Sequence, residues 1–425
     1  MTEFESVNTP TSGSALIDEV SQLEVKLVSK LPLKYQLPVE KIVIAGSLSR
    51  MELSELVNDS LTLEVRIPFD FLINGSFLRG SLGGHINDFG ILSEKTLEIE
   101  YVIAMEELKS SDLTDPQPAW ISGISVHGNH FYTCSMNGGV ARHVADTGKQ
   151  VCSNLHGSLP LVGISVTSNG VVVTASRDGA IRFSDCDTLE AFQTGKVDDS
   201  NSFQCLAVCP FDETLMVTGS TTGDLYLWNI PTRDLGNKGK KRSAPAHVSP
   251  RMALECSSVS GISAIRWLSL TRIIVASLDG SIQVIDPLSN QALPTIQTNR
   301  PISALACLND SMLVTGHADG RVIFWTLRSD SVSASIEAVN SCRSHTRMIS
   351  CLETRPNDEY VVVSGSIDGS IKVLDCRASQ FAIQSVSMPP TERVLATCWN
   401  GSNQLFSGAS DGIVRSHVIP LQESE

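Results

Sequence analysis

Basic side chains are the scarce charge in this chain of 425 residues: 32 Lys and Arg stand against 46 Asp and Glu, for a net charge of −14. The deficit is concentrated at the front, where residues 1–115 hold 19 acidic and 9 basic side chains, while residues 116–425 hold 27 and 23. An acidic front end disfavours direct nucleic-acid binding there and favours a basic protein partner. No apolar run approaches the roughly 18 residues that a membrane span needs. The start, MTEFESVNTPTSGSALIDEV, places Glu3 and Glu5 where a secretory signal would be basic. Eleven cysteines occur singly, without a CxxC or a Cys/His cluster; the nearest pair, Cys205 and Cys209, shares one strand-like run. Buried free thiols in a reducing compartment, cytosol or nucleus, are therefore expected, and structural zinc is not. Nothing assembles a nucleophile, a base and an oxyanion site, so an enzyme is the weakest class, and no cofactor or small-molecule ligand is expected.

What is present is repetition. Seven times a small residue is followed by two more and then Gly, ahead of a β-branched alternating run. The clearest copies are SRDGAIRF, SLDGSIQVID, HADGRVIFW, SIDGSIKVLD and ASDGIVRS; SMNGGVARHV and STTGDLYLWN are weaker. The glycines, Gly138, Gly179, Gly223, Gly280, Gly320, Gly369 and Gly412, lie 41, 44, 57, 40, 49 and 43 residues apart. A period of roughly 40–45 residues with four short strands per unit is the mark of a WD-type β-propeller. Asp-Gly suggests type I′ hairpin turns between two strands of each blade. The apolar segments upstream, such as ISCLETRP, ISALACL, ISAIRWL and FQCLAVCP, read as the inner strands that line the central channel, and seven units would close the ring.

The copies are worn. The Trp-Asp dipeptide survives only as Trp228-Asn229 and Trp325-Thr326, and elsewhere reads Ile285-Asp286 or Leu374-Asp375. Blade six keeps the best hydrogen-bond set, with Ser344-His345 ahead of Asp368, and its His reads as structural. The 57-residue gap carries about 13 extra residues, including PTRDLGNKGKKRSAPAHVSPR (231–251) with six Lys or Arg, one Asp, three Pro and two Gly. This stretch cannot bury a core and reads as an exposed loop. Lys238, Lys240, Lys241 and Arg242 suit a nuclear-localisation signal or an RNA contact, and equally a solvated loop.

Ahead of the repeats, residues 1–20 are rich in Ser, Thr and Asn and read as disordered. LEVKLVS alternates as a strand, and a second strand falls within 37–46. Ser49 and Glu52 form a capping box opening MELSELVNDSL, whose Leu53, Leu56 and Val57 make one apolar face. RIPFDFLINGSFLRGSL follows, with Asn74-Gly75 as a hairpin turn. After a short connecting segment, TLEIEYV (96–102) is the last strand. Strand, strand, helix, strand, strand describes a small α+β ubiquitin-like (β-grasp) domain over 21–104. It runs on into a polar linker, 105–117, rather than a terminal Gly-Gly, so conjugation is not expected. The propeller is expected over 118–421, and the fold class is mainly β.

FDFLINGSFLRGSL, LSEKTLEIEYV, the Trp120-Ile121 start and NDEYVVVSGSIDGSIKVLDCRAS resemble one family over the chain from about residue 22. It is the family of WD-repeat ribosome-biogenesis factors with an NLE front domain that join pescadillo and the block-of-proliferation protein in the PeBoW complex. The long basic loop sits between blades three and four, as in that family. The resemblance implies a non-catalytic factor of the nucleolus and nucleoplasm, needed for large-subunit rRNA maturation. Its propeller would dock on the block-of-proliferation partner on large-subunit precursors. Its front domain would engage midasin, an AAA-type ATPase, whose pulling strips the complex from the particle. The side chain implied is Glu94 of LSEK, as a carboxylate ligand in trans to a divalent ion held by midasin. Glu98 and Glu100 alternate on a strand and suit that role less; Asn74 and Phe77 are candidates for shaping the docking face. A Notchless-type factor shares the front domain and the midasin contact but has an extra blade. A generic WD-repeat adaptor for a ubiquitin ligase would need a ligase-docking motif, and none is evident.

Overall fold

A computed structural model describes residues 22–419 except 30, 32, 38–40, 62–65, 74–75, 79, 90–95, 105–108, 198–201, 233–245, 258–259, 330–333, 377–381 and 388–391. The chain divides into two compact units, Met1–Glu106 and Glu107–Glu425.

The first unit holds strands β1 (Gln22–Val28), β2 (Lys41–Ala45), β3 (Phe69–Ile73), β4 (Ser76–Phe77) and β5 (Leu97–Ile103), with helices α1 (Arg50–Leu61) and α2 (Leu82–Phe89). The sheet order is β2-β1-β5-β3-β4, with β1 and β5 parallel in the centre. This is the β-grasp expected. Alternation in β1 turns Leu23, Val25 and Leu27 inward, where they meet Leu53 and Val57 of α1 and Phe69, Phe71 and Tyr101 of the sheet. The Glu52 half of the capping box forms: its carboxylate accepts from the backbone N–H of Ser49 at 2.7 Å and from the Ser49 hydroxyl at 2.9 Å. Buried Asn58 clamps the entry to β3: its side chain donates to the Ile67 carbonyl at 2.6 Å and accepts from the Ile67 N–H at 2.8 Å. The segment read as a plain connection contains α2. Its Leu82, His85 and Ile86 carry a helical period that Gly83 and Gly84 obscure, and the Ser81 hydroxyl accepts from the Gly84 N–H at 3.2 Å.

The second unit is a ring of seven blades. The inner strands are Ile121–His127, Leu161–Val166, Phe203–Val208, Ile262–Ser269, Ile302–Asn309, Ile349–Thr354 and Val394–Asn400, and each neighbours the next until the seventh returns to the first. Four of them are the apolar segments read as inner strands from sequence. Taper toward the axis demands small residues on the second strand of each blade. A Cβ on Gly219, Gly316, Gly365 or Gly408 would fall within 2.5–2.7 Å of Ile262, Ile349, Val394 or Ile121, the first inner residue of the next blade. Blade seven thus meets blade one by the contact used inside the ring.

All seven turn glycines have positive φ, from 73° to 95°. Each donates its N–H to the carbonyl three residues back at 3.0–3.4 Å. The Asp, Asn or, in blade three, Thr before the glycine is absent from the positive-φ residues, so the turn is not type I′. It is a type I turn followed by glycine in the left-handed region. Asp is favoured for its acceptor: Asp178, Asp279, Asp319, Asp368 and Asp411 each accept from the backbone N–H two residues on at 2.8–3.2 Å. Space also enforces glycine. A methyl group on Gly320 would run into the His345 carbonyl and lie 2.9 Å from that of Arg347.

Two expectations change. The stretch read as linker, 105–117, contains strand Lys109–Asp112, which pairs antiparallel with Val414–Val418 as the outer strand of blade seven. Its sequence, KSSD, has no apolar alternation because an exposed outer strand needs only its backbone. The insertion read as lying between blades three and four lies within blade three, between its third strand Leu225–Asn229 and its outer strand Met252–Leu254. The far end of the stretch read as loop, Ala246–Val248, pairs parallel with Ala191–Lys196, the outer strand of blade two.

Candidate partner-docking surfaces

The buried histidines are the first test of a catalytic reading. Third strands pair with second strands so that Trp228, Trp325, His143, His417, Ser184, Ile285 and Leu374 occupy one equivalent position, opposite Met216, Leu313, Phe131, Leu405, Val172, Ile273 and Val362. The Trp228 and Trp325 indoles donate to Thr218 and Thr315 at 2.9 and 2.8 Å. His417 Nε2 bonds the Ser407 hydroxyl at 2.7 Å, and His143 Nε2 lies 3.4 Å from that of Thr133. Histidine therefore stands in for tryptophan in blades one and seven, a substitution that the search for Trp-Asp missed. Counting five residues on from each turn glycine would have found it. Where the position is Ile285, the second strand offers apolar Val275, and no polar group is left over.

Blade six keeps its set as expected. His345 Nε2 bonds Ser364 at 2.7 Å, and Nδ1 bonds Ser370 at 2.8 Å, with Asp368 at 3.5 Å. Burial pushes the imidazole down to about 4 against the pull of Asp368, so it is neutral at pH 7. These rings hold strands together. All eleven cysteines are free thiols, and burial pushes Cys205 up to about 12. Asp185, Cys186 and Asp187 bring ligand atoms within 4.8 Å of one another. Their carboxylates are engaged, since Asp185 accepts from the Asp187 N–H at 2.8 Å and Asp187 pairs with Arg142 at 3.1 Å.

Glu94 falls in 90–95, outside the described residues, between α2 and the central strand β5. Asn74, Lys238, Lys240, Lys241 and Arg242 also lie outside the described residues. Phe77 closes β4, its backbone opposite Leu72. Glu98 of β5 is committed to Lys26 at 2.8 Å, and Glu24 of β1 to Lys41 at 2.8 Å. The basic stretch is held at both ends: it leaves after the third strand of blade three and returns on the edge of blade two.

Residues 23–86 match the family model described as NLE (NUC135) domain, within the β-grasp unit, and residues 336–375 match the WD domain, G-beta repeat model, across blades five and six. The chain is 27% identical to the "Ribosome biogenesis protein WDR12 homolog" of Oryza sativa subsp. japonica, over 96% of this chain and 99% of that one. It is 26% identical to "Ribosome biogenesis protein YTM1" of Coprinopsis cinerea, over 86% and 88%. Identity to the Chlamydomonas reinhardtii WDR12 homolog is 25%, over 94% and 98%. The chain is thus similar to these ribosome biogenesis proteins over most of its length and carries an NLE domain and WD repeats of its own. Their shared length spans both units, so the similarity joins the front domain to the ring rather than reflecting the repeats alone.

Proposed function

We propose that the chain is a non-catalytic assembly factor for the large ribosomal subunit, acting in the nucleolus and nucleoplasm. The observation that supports this best is the end-to-end match to relatives named as ribosome biogenesis proteins, covering the NLE unit and the ring together. In this reading the ring docks on the block-of-proliferation protein within the pescadillo complex. The front domain presents Glu94 as a carboxylate ligand to a divalent ion held by midasin, where a hard oxygen donor fills an open octahedral position. ATP-driven pulling through that contact then releases the complex from the precursor particle. Among the described carboxylates of the front unit, Glu24 and Glu98 are paired with lysines, which supports Glu94 over Glu98 as the ligand.

The test is affinity purification of the full chain and its Glu94→Ala variant. Wild type is expected to recover the block-of-proliferation protein, pescadillo and midasin; the variant is expected to keep the first two and lose midasin. Retention of midasin by the variant removes the role of Glu94, and failure of wild type to recover the block-of-proliferation protein removes the docking role. A seven-bladed ring favours this reading over a Notchless-type factor with its extra blade.

A further inference from the structure

At one end of the ring, in every blade but the fifth, the first residue of the hairpin turn reaches the residue just before the inner strand of the same blade. The N–H groups of Met136, Arg177, Ile367 and Ser410 donate to the carbonyls of Trp120, Pro160, Met348 and Arg393 at 2.9–3.0 Å. These pairs set which side chains form the outer surface of this end. On blades six, seven, one and two they bring out Arg347, Ile367, Arg393, Trp120, Leu159 and Arg177. Trp120 is 44% exposed and Leu159 is 45% exposed. The Arg393 guanidinium lies over the Trp120 ring, 5.4 Å from its centroid. On blades three, four and five the paired tips are Ser202 and Thr221, Gly261 and Leu278, and Pro301 and Ala318, and the blade-five counterpart of Arg347, Arg300, is neutralised by Asp319.

Charge separates the two arcs further. Among the described residues, the loops of blades six, seven, one and two carry five carboxylates at this end, and Asp115 is the exposed one. Asp178 is engaged by Arg182 and Asp411 by Arg415. Asp368 accepts from Thr346 and Ser370, and Glu392 from Ser410. Arg177, Arg347 and Arg393 have no carboxylate partner among the described residues. A chain of net charge −14 thus keeps a cationic, apolar arc across four of its blades.

We propose that this arc binds an acidic segment of a partner protein that carries an apolar side chain between its carboxylates. Trp, Arg and aliphatic residues together are the composition of interface hot spots. Guanidinium groups grip carboxylates in bidentate fashion, and Trp120 with Leu159 offers a surface for the apolar anchor. Single-stranded RNA is the poorer fit. The arc holds no Lys and places Leu159 and Ile367 among its arginines, and the chain's overall charge repels a polyanion. The inference does not depend on which proteins the chain joins.

Trp120 supplies its own probe, since Trp228, Trp267, Trp325 and Trp399 are all at most 8% exposed. The full chain is titrated with a short synthetic peptide of Glu and Asp flanking a central Leu-Leu pair, and tryptophan emission and acrylamide quenching are followed. A blue shift and reduced quenching are expected, with affinity falling as salt rises. Arg177→Glu with Arg393→Glu is expected to weaken binding by about tenfold or more, or at least ~1.4 kcal/mol. Arg272→Glu, at the opposite end of the ring, is expected to leave it unchanged. If the double reversal melts early, Arg177→Gln, which leaves the Trp120–Arg393 pair intact, is expected to weaken binding severalfold by itself. The inference fails if emission does not respond, if the Arg177 and Arg393 variants bind as wild type does, or if polyuridylate or the Lys/Arg counterpart peptide binds as tightly.

Discussion

His417 Nε2 meets the Ser407 hydroxyl at 2.7 Å, in the place where Trp228 and Trp325 donate to Thr218 and Thr315. The same bond between second and third strands survives an exchange of indole for imidazole. The exchange carries a cost that tryptophan does not, because imidazole can take up a proton. Burial, followed by the charge of Arg415, pushes His417 down to about 4, and burial pushes His345 to about 4 as well.

Acid sensitivity follows from those two groups. Each binds fewer protons in the folded chain than in the unfolded chain between pH 6.5 and about 4. Their contribution is complete above pH 6.5, drains as pH falls through that window and changes no further below pH 4. Denaturant unfolding is expected to show a slope of up to ~1.4 kcal/mol per pH unit for each group near the middle of the window. His417→Gln is expected to remove one share of that slope; an unchanged slope would place the acid sensitivity elsewhere.

The Trp228–Thr218 bond makes a double-mutant test. Trp228→Phe leaves the Thr218 hydroxyl buried without its donor and is expected to cost about 2–4 kcal/mol, packing included. Adding Thr218→Val copies the apolar solution of Ile285 and Val275 in blade four. The second change is expected to recover ~1 kcal/mol in the Phe background while destabilising the wild type. Strict additivity in urea unfolding would show that the hydroxyl is satisfied some other way.

Ring closure turns on Gly408. An added methyl group would lie 2.5 Å from Ile121 Cγ2 and 2.9 Å from Ile121 Cβ. Gly408→Ala is expected to lose about 1–3 kcal/mol by overpacking. Gly163→Ala, in blade two, meets nothing nearer than 3.5 Å and is expected to be neutral within ~0.5 kcal/mol. Equal melting temperatures for the two variants would argue against a tight junction between blades seven and one.

The strand contributed from ahead of the repeats makes a fourth test. Val414 N–H donates to the Thr114 hydroxyl at 3.0 Å, and Arg415 pairs with Asp112 at 2.8 Å. A fragment beginning at Glu107 is expected to melt as one cooperative unit. One beginning at residue 118 leaves blade seven without its outer strand, and its melting temperature is expected to be lower by several degrees or its yield to collapse. Indistinguishable melting by circular dichroism would show that this strand is dispensable.

Much of the architecture was legible because it depends on residue type at fixed spacing. The seven glycines are required by positive φ and by carbonyls where a Cβ would sit, as at Gly320. Leu53 and Val57 of α1 and the alternation of β1 disclosed the β-grasp core. Helix α2 stayed hidden behind Gly83 and Gly84, although Ser81 caps it and Leu82, His85 and Ile86 share a face. Asp-Gly does not fix the turn type, because it is common to two turn families and only φ at the Asp distinguishes them. His345, read as structural, takes its place in its blade, whereas the functional candidates Glu94 and Lys238, Lys240, Lys241 and Arg242 lie outside the described residues.

By itself the sequence determined the number of blades, the residues at every hairpin turn and the order of the two units, because glycine conformations and apolar periodicity are local requirements. Tertiary structure alone decided that Lys109–Asp112 completes the last blade and that Ala246–Val248 ties the basic insertion to blade two. It also decided that His143 and His417 replace tryptophan. Outer strands are recruited by backbone N–H and C=O groups, which every residue but proline carries alike, so KSSD and AHV bear no signature until the ring they complete has formed.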